Sequence, residues 1–276
     1  MIKLQRNRTA IPDTFRDPGR HDRLRELFEA ARAGTLADAA VKKKLFSSGR
    51  WKDAKPQLQR ESAGKCAFCE TPTTAVYYGD VEHFRPKAIY WWLAYCYENY
   101  LFSCRVCNGK KSDQHILANA RAPGPTVAGL SDAELFTLAL KASPDPADAE
   151  SLTTLTNALA AEGAFLPNPY EQNPEPFFTW KPDPVLREVT IAANPAHFRS
   201  ANALLAAERV LDLNRDELRT LRWQTYEPLS KLRDIAALGG PSRPQVIDLL
   251  ESLAKSEMPY AGMVRYFARD QWGLIP

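Results

Sequence analysis

The sequence predicts a mainly α-helical fold interrupted once by a small ββα module. Three observations predict it: apolar residues at helical spacing before residue 60 and again beyond residue 125, short strand-like runs between them, and a crowding of cysteine, glycine and aromatic residues from Gly64 to about Asp113. At 276 residues the chain can bury a core without covalent staples, as one large domain or two modest ones. Apolar residues at 45% and charged residues at 25%, with no fixed repeat, exclude a disordered or fibrous class.

Along the chain, Leu24, Leu27, Phe28 and Ala31 mark a first helix, followed by helical segments around Leu36 to Phe46 and Trp51 to Arg60, the last interrupted by Pro56. Tyr77 to Phe84 reads as a short hairpin, and Tyr100 to Ser103 as a strand leading through a turn into a helix over Arg105 to Lys111. Pro123, Gly124 and Pro125 make Ala120 to Pro125 a hinge. Beyond it, Ser131 with Glu134 and Asn214 with Glu217 have capping-box spacing, and Asn194 before Pro195 signals a helix entry. Amphipathic runs follow at 195–210, 215–236, 243–256 and 260–269, and a Pro-rich connector, FLPNPYEQNPEPFFTWKPDP, crosses this half in extended form. Three regions result: basic helices over 1–62, the cysteine-rich module over 63–120, and a predominantly helical 121–276 suited to docking a partner.

The net charge of +3 is unevenly placed. Residues 1–60 hold 15 Lys and Arg against 7 Asp and Glu, whereas residues 126–276 hold 14 against 20. A basic end attracts polyanions, although a solvated helical face is the commoner meaning of one such segment. The first residues contain no apolar run fit for a signal peptide, and no stretch reaches the roughly 20 apolar residues of a membrane span, so a cytoplasmic location without membrane contact is expected. Five cysteines in a chain of this length suit metal ligation better than a disulfide framework.

Cys66 and Cys69 form one C-x-x-C knuckle and Cys104 and Cys107 another, separated by 34 residues. Two such knuckles place four thiolates around one zinc, a closed and therefore structural site. Cys96 is left over as a small buried hydrophobe. Inside the gap lies Asp80-Val81-Glu82-His83-Phe84-Arg85-Pro86-Lys87, then Asn99, and Asn108 directly follows the fourth cysteine. Hydrolysing a phosphodiester needs a base to activate water and a hard cation to neutralise the phosphate. Histidine suits the first task, and carboxylate and amide oxygens suit magnesium or manganese, whereas thiolates select zinc. Taken singly, each residue has a blander meaning: a satisfied core histidine, a turn asparagine, a solvated glutamate. Their order between two cysteine knuckles is what carries information. Trp91, Trp92, Tyr95, Tyr97 and Tyr100 suit base stacking, but more often such rings pack the core of a small module.

These residues resemble the HNH nuclease family, whose ββα-metal motif joins an acidic-His pair on a strand, a middle Asn, and a final His or Asn on the helix. The resemblance implies that His83 is the general base, that Asn99 orients its imidazole, and that Glu82 and Asn108 hold a catalytic magnesium or manganese. It also implies nucleic-acid contacts from Arg85, Lys87, Lys110 and Lys111, with DNA favoured over RNA, and a structural zinc on Cys66, Cys69, Cys104 and Cys107. Glu82 departs from the commoner Asp, and Asn108 from His. Over more of the chain, KCAFCE, DVEHFRPK, WWLAYCYENYLFSCRVCNGKKSD, LPNPYEQNPEP and LDLNRDELRTLR resemble the HNH subunit of Septu-type bacterial anti-phage systems, also found beside retrons. That likeness implies an ATPase partner of the ABC or SMC type. A zinc-fastened nucleic-acid-binding or adaptor subunit without catalysis is the alternative.

Overall fold

A computed structural model describes residues 1–73 and 77–276. It is about half helical with two small two-stranded sheets. The amino-terminal region forms α1 (His21–Arg32), α2 (Ala39–Leu45) and α3 (Lys55–Glu61). Leu24, Leu27 and Phe28 occupy one face of α1 and are fully buried, as their i, i+3, i+4 spacing requires. Pro56 sits in the first turn of α3, where its missing N–H costs nothing, so the helix starts there and not at Trp51.

The first sheet pairs β1 (Asp80–His83) with β2 (Tyr100–Ser103) in antiparallel register, Asp80 opposite Ser103 and His83 opposite Tyr100. The hairpin expected over Tyr77 to Phe84 is therefore not formed. That stretch gives one strand whose partner lies 17 residues downstream, across a loop that turns at Pro86 and packs its aromatic residues inward. α4 (Arg105–Lys111) follows β2 directly, completing the strand-strand-helix order.

The second half is less uniformly helical than its sequence suggests. α5 (Asp132–Ala142) begins with the expected capping box between Ser131 and Glu134. α6 (Ala149–Ala160), capped by Asp148, has no counterpart among the expected helices. The tail of the Pro-rich connector is β3 (Phe178–Asp183), paired with β4 (Glu188–Ala193). Phe178 and Trp180 alternate with less buried neighbours, as do Val189 and Ile191, the period-2 signature of a half-buried sheet. α7 (Ser200–Arg209), α8 (Asp216–Leu238), α9 (Arg243–Leu253) and α10 (Ala261–Arg265) complete the chain, the last running into a π-helical turn. Asn214 does not cap α8. Its amide instead grips the backbone of Ile191 on β4, accepting from the N–H at 2.8 Å and donating to the carbonyl at 2.9 Å. No helix among the described residues is long and apolar enough to cross a membrane.

One core cluster joins Met1, Ile2 and Leu4 to the cysteine knuckles, to β3 and β4, and to α7, α8 and α10. A second joins α1 to the aromatic loop from Tyr90 to Tyr100 and to α5. The module thus lies between the two, with its strand and helix edges packed on both sides.

Candidate metal and phosphodiesterase site

β1 alternates, so Asp80 and Glu82 point to one side, about 6.6 Å apart along the strand. Asn108 and Lys111 stand three residues apart on α4, about 5–6 Å apart on one helical face. The two spacings match closely enough to make two rungs. Asn108 donates to the Asp80 carboxylate at 3.1 Å, and Lys111 donates to Glu82 at 2.7 Å and to the His83 carbonyl at 2.8 Å. The second rung is internal: the Lys111 side chain is fully buried and that of Glu82 4% exposed. Burial pushes the Glu82 carboxyl up, and the Lys111 ammonium partly offsets it.

The His83 ring lies edge-on to Trp51 and Tyr100, with centroids 4.7 and 5.0 Å away. Its Nε2 lies 3.0 Å from the Ala94 carbonyl, which can only accept, so Nε2 carries the proton and Nδ1 keeps the basic lone pair. Burial, with Lys87 adding to it, pushes the imidazole down to about 3, so the ring is neutral at physiological pH. Asn99 does not touch it. The amide accepts from the Arg85 N–H at 2.8 Å and donates to the carbonyls of Arg85 and Leu93 at 2.9 and 3.4 Å. It therefore fixes the backbone next to Ala94, which in turn holds the ring.

Asp80, Glu82, His83 and Asn108 all line a cleft of about 890 Å³. Lys42, Lys52 and Lys55 from the amino-terminal region line it too, with Lys87 from the module. The basic end of the chain is thus a wall of this cleft as well as a solvated surface. Three expected nucleic-acid contacts lie elsewhere. Arg85 is buried in ion pairs with Glu162 and Glu171 at 3.1 and 3.2 Å, and Lys111 is held by Glu82. Lys110 pairs with Asp212 at 2.7 Å and lines a second recess, on the Cys104 side of α4. Of the four, Lys87 faces the cleft. Sequence reasoning missed Asp80, although its i−2 position to Glu82 on a strand announces a shared face, and missed Lys42, Lys52 and Lys55, whose only signal was the charge count.

The four cysteines converge. Each offers a sulfur, and all four sulfurs lie within 4.8 Å of one another, with Cys69 and Cys104 at 3.9 Å. Four thiolates at about 2.3 Å from a zinc would be about 3.8 Å apart, so the set could hold such an ion. Cys104 caps α4, its sulfur accepting from the Cys107 N–H at 3.4 Å. Because Asn108 follows Cys107, whatever fastens the sulfurs also fixes the helix that carries Asn108 and Lys111. Both Nη atoms of Arg215 lie 3.9 Å from the Cys107 sulfur. Arg222, 1% exposed, stacks over Trp180 at 5.0 Å and has no ion-paired carboxylate among the described residues; burial pushes its guanidinium down to about 10, with Cys69 opposing the shift.

No family model and no solved structure matches the chain. A similar curated protein is Septu protein PtuB of Bacillus mycoides (strain KBAB4). The two are 33% identical over 97 residues, a match that covers 29% of this chain and 33% of the relative. The likeness to PtuB thus spans about a third of that protein's length, and the four-cysteine cluster is compatible with a zinc site.

Proposed function

We propose that the chain is a metal-dependent endonuclease of the HNH kind, the nuclease subunit of a bacterial anti-phage system that works with an ATPase. One observation carries the reading: a strand bearing Asp80, Glu82 and His83 meets a helix bearing Asn108 on a lysine-lined cleft. The partial likeness to PtuB supports the defence role. In this reading Nδ1 of His83 takes the proton of the attacking water, the Ala94 carbonyl holds the ring, and Asn99 holds the loop. Glu82 and Asn108, with Asp80 beside them, would hold a magnesium or manganese ion, which when bound supplies charge neutralisation at the phosphate. Cys66, Cys69, Cys104 and Cys107 would hold zinc for structure alone.

A zinc-fastened nucleic-acid-binding or adaptor subunit without catalysis is the second reading, favoured by the Lys111 ammonium that already neutralises Glu82. Nicking of plasmid DNA with magnesium or manganese by the wild-type chain and by His83→Ala, with zinc measured by elemental analysis, separates the two. The nuclease reading expects loss of nicking with zinc content unchanged. It fails if His83→Ala cuts at the wild-type rate, or if the wild type, with its ATPase added, cuts nothing under either cation.

A further inference from the structure

The shape of the cleft bears on which form of nucleic acid it takes, an inference that rests on the nucleic-acid reading above. His83 and Glu82 are 4% and 3% exposed, so the reacting groups are recessed. Residues from three directions line the recess: the segment around α2 and α3, the loop after β1, and the exposed side of α4. A duplex presents its phosphates on the convex face of a rod with a persistence length of about 50 nm, so it enters a recess only at the cost of bending or kinking. A single strand bends into a recess.

The charges and rings on the walls fit the same occupant. Lys42 and Lys52 are exposed and Lys55 and Lys87 half-buried, and among the described residues none of the four has a carboxylate within ion-pair distance. Their neighbours differ: Lys44 and Arg50 both reach Glu26, at 3.4 and 2.6 Å. Unpaired ammonium groups along one wall suit a phosphate backbone. Phe46 and Trp91, both half-buried, line the same cleft and offer ring surface to an unstacked base. Paired bases inside a duplex have no free face to give them.

We infer that the cleft receives unpaired nucleic acid, DNA or RNA, whose backbone runs along Lys42, Lys52 and Lys55 on the wall built by the amino-terminal region. The test is fluorescence anisotropy with the full-length His83→Ala protein in magnesium at about 0.1 M salt. The probes are a labelled 20-mer single strand as DNA and as RNA, and the blunt duplex of the same sequence. Single strands of one or both chemistries are expected to bind at least tenfold more tightly than the duplex. Replacing Lys52→Gln and Lys55→Gln together is expected to weaken single-strand binding about tenfold and to reduce the salt slope by about 1.4, at roughly 0.7 per lost phosphate contact. Unfolding midpoint and zinc content should stay at parent values, which separates lost contacts from misfolding.

Equal or tighter duplex binding overturns the inference, as does a double variant with unchanged affinity and slope. The two readings fail separately. If the wild type never cleaves but single strands bind through these lysines, the nuclease reading falls and this inference stands. If the wild type cleaves blunt duplex as fast as single strand, the reverse holds.

Discussion

Replacing Lys111 by Met removes an ammonium from a position with no solvent exposure while keeping a side chain of similar length and volume. Two contacts go with it, the 2.7 Å pair with Glu82 and the 2.8 Å hydrogen bond to the His83 carbonyl. Because the volume is kept, the packing change is small, and the cost comes from stranding the Glu82 carboxylate in the interior. Breaking one side of a buried pair costs about 3–5 kcal/mol, a large share of the roughly 5–15 kcal/mol that holds a domain folded. Replacing both partners by neutral groups is often close to neutral. Lys111→Met alone should therefore lower stability by about 3–5 kcal/mol, and Glu82→Gln added to it should restore most of that loss. Urea unfolding followed by circular dichroism, run as a double-mutant cycle, measures the coupling directly. If the double variant is as unstable as the sum of the two singles, the pair is not what holds β1 to α4, and the two-rung account of this site is wrong.

Three further outcomes follow from the same geometry. Cys104→Ser should lose bound zinc, read by elemental analysis, and melt the module, because metal binding of about 10–16 kcal/mol is part of such a module's folding free energy. Arg215→Met should weaken zinc retention against a competing chelator by about 10–100-fold, with Arg215→Lys recovering part of it, since four thiolates on a divalent ion would leave a double negative charge and both Nη atoms of Arg215 lie 3.9 Å from the Cys107 sulfur. Burial, with Arg85 next, pushes His115 down to about 3. The unfolded chain takes up that proton near pH 6.5 and the folded chain does not until about 3, so stability falls as pH drops between them; His115→Leu should flatten that fall in urea midpoints between pH 7 and pH 4.

That the cleft residues and the four cysteines would come together was legible because their information is local. Two C-x-x-C knuckles, an acidic-His pair and an asparagine directly after the last cysteine are short-range patterns, and the fold brings them together in the expected order. What escaped the sequence depends on distant partners. The resemblance makes Arg85 a nucleic-acid contact, yet Glu162, 77 residues downstream, takes it inside. The resemblance makes Lys111 a nucleic-acid contact as well, yet it is buried against Glu82, 29 residues upstream. The β3–β4 hairpin hid behind the prolines of its connector, although Phe178, Trp180, Val189 and Ile191 carry the alternation that marks it. The lysines of the amino-terminal region had a charge but no address.

One feature of the core reaches past the site. Met1, Ile2 and Leu4, the cysteine knuckles and α7, α8 and α10 all bury side chains in the same apolar mass. Residues 120–129, by contrast, carry no helix or strand and are mostly open to solvent. A protease nicking that stretch would sever the covalent link and little else. The two fragments would travel as one particle under native conditions and come apart only in denaturant, so a simple deletion of the second half would strip the cysteine-bearing face of its cover instead of liberating an intact module.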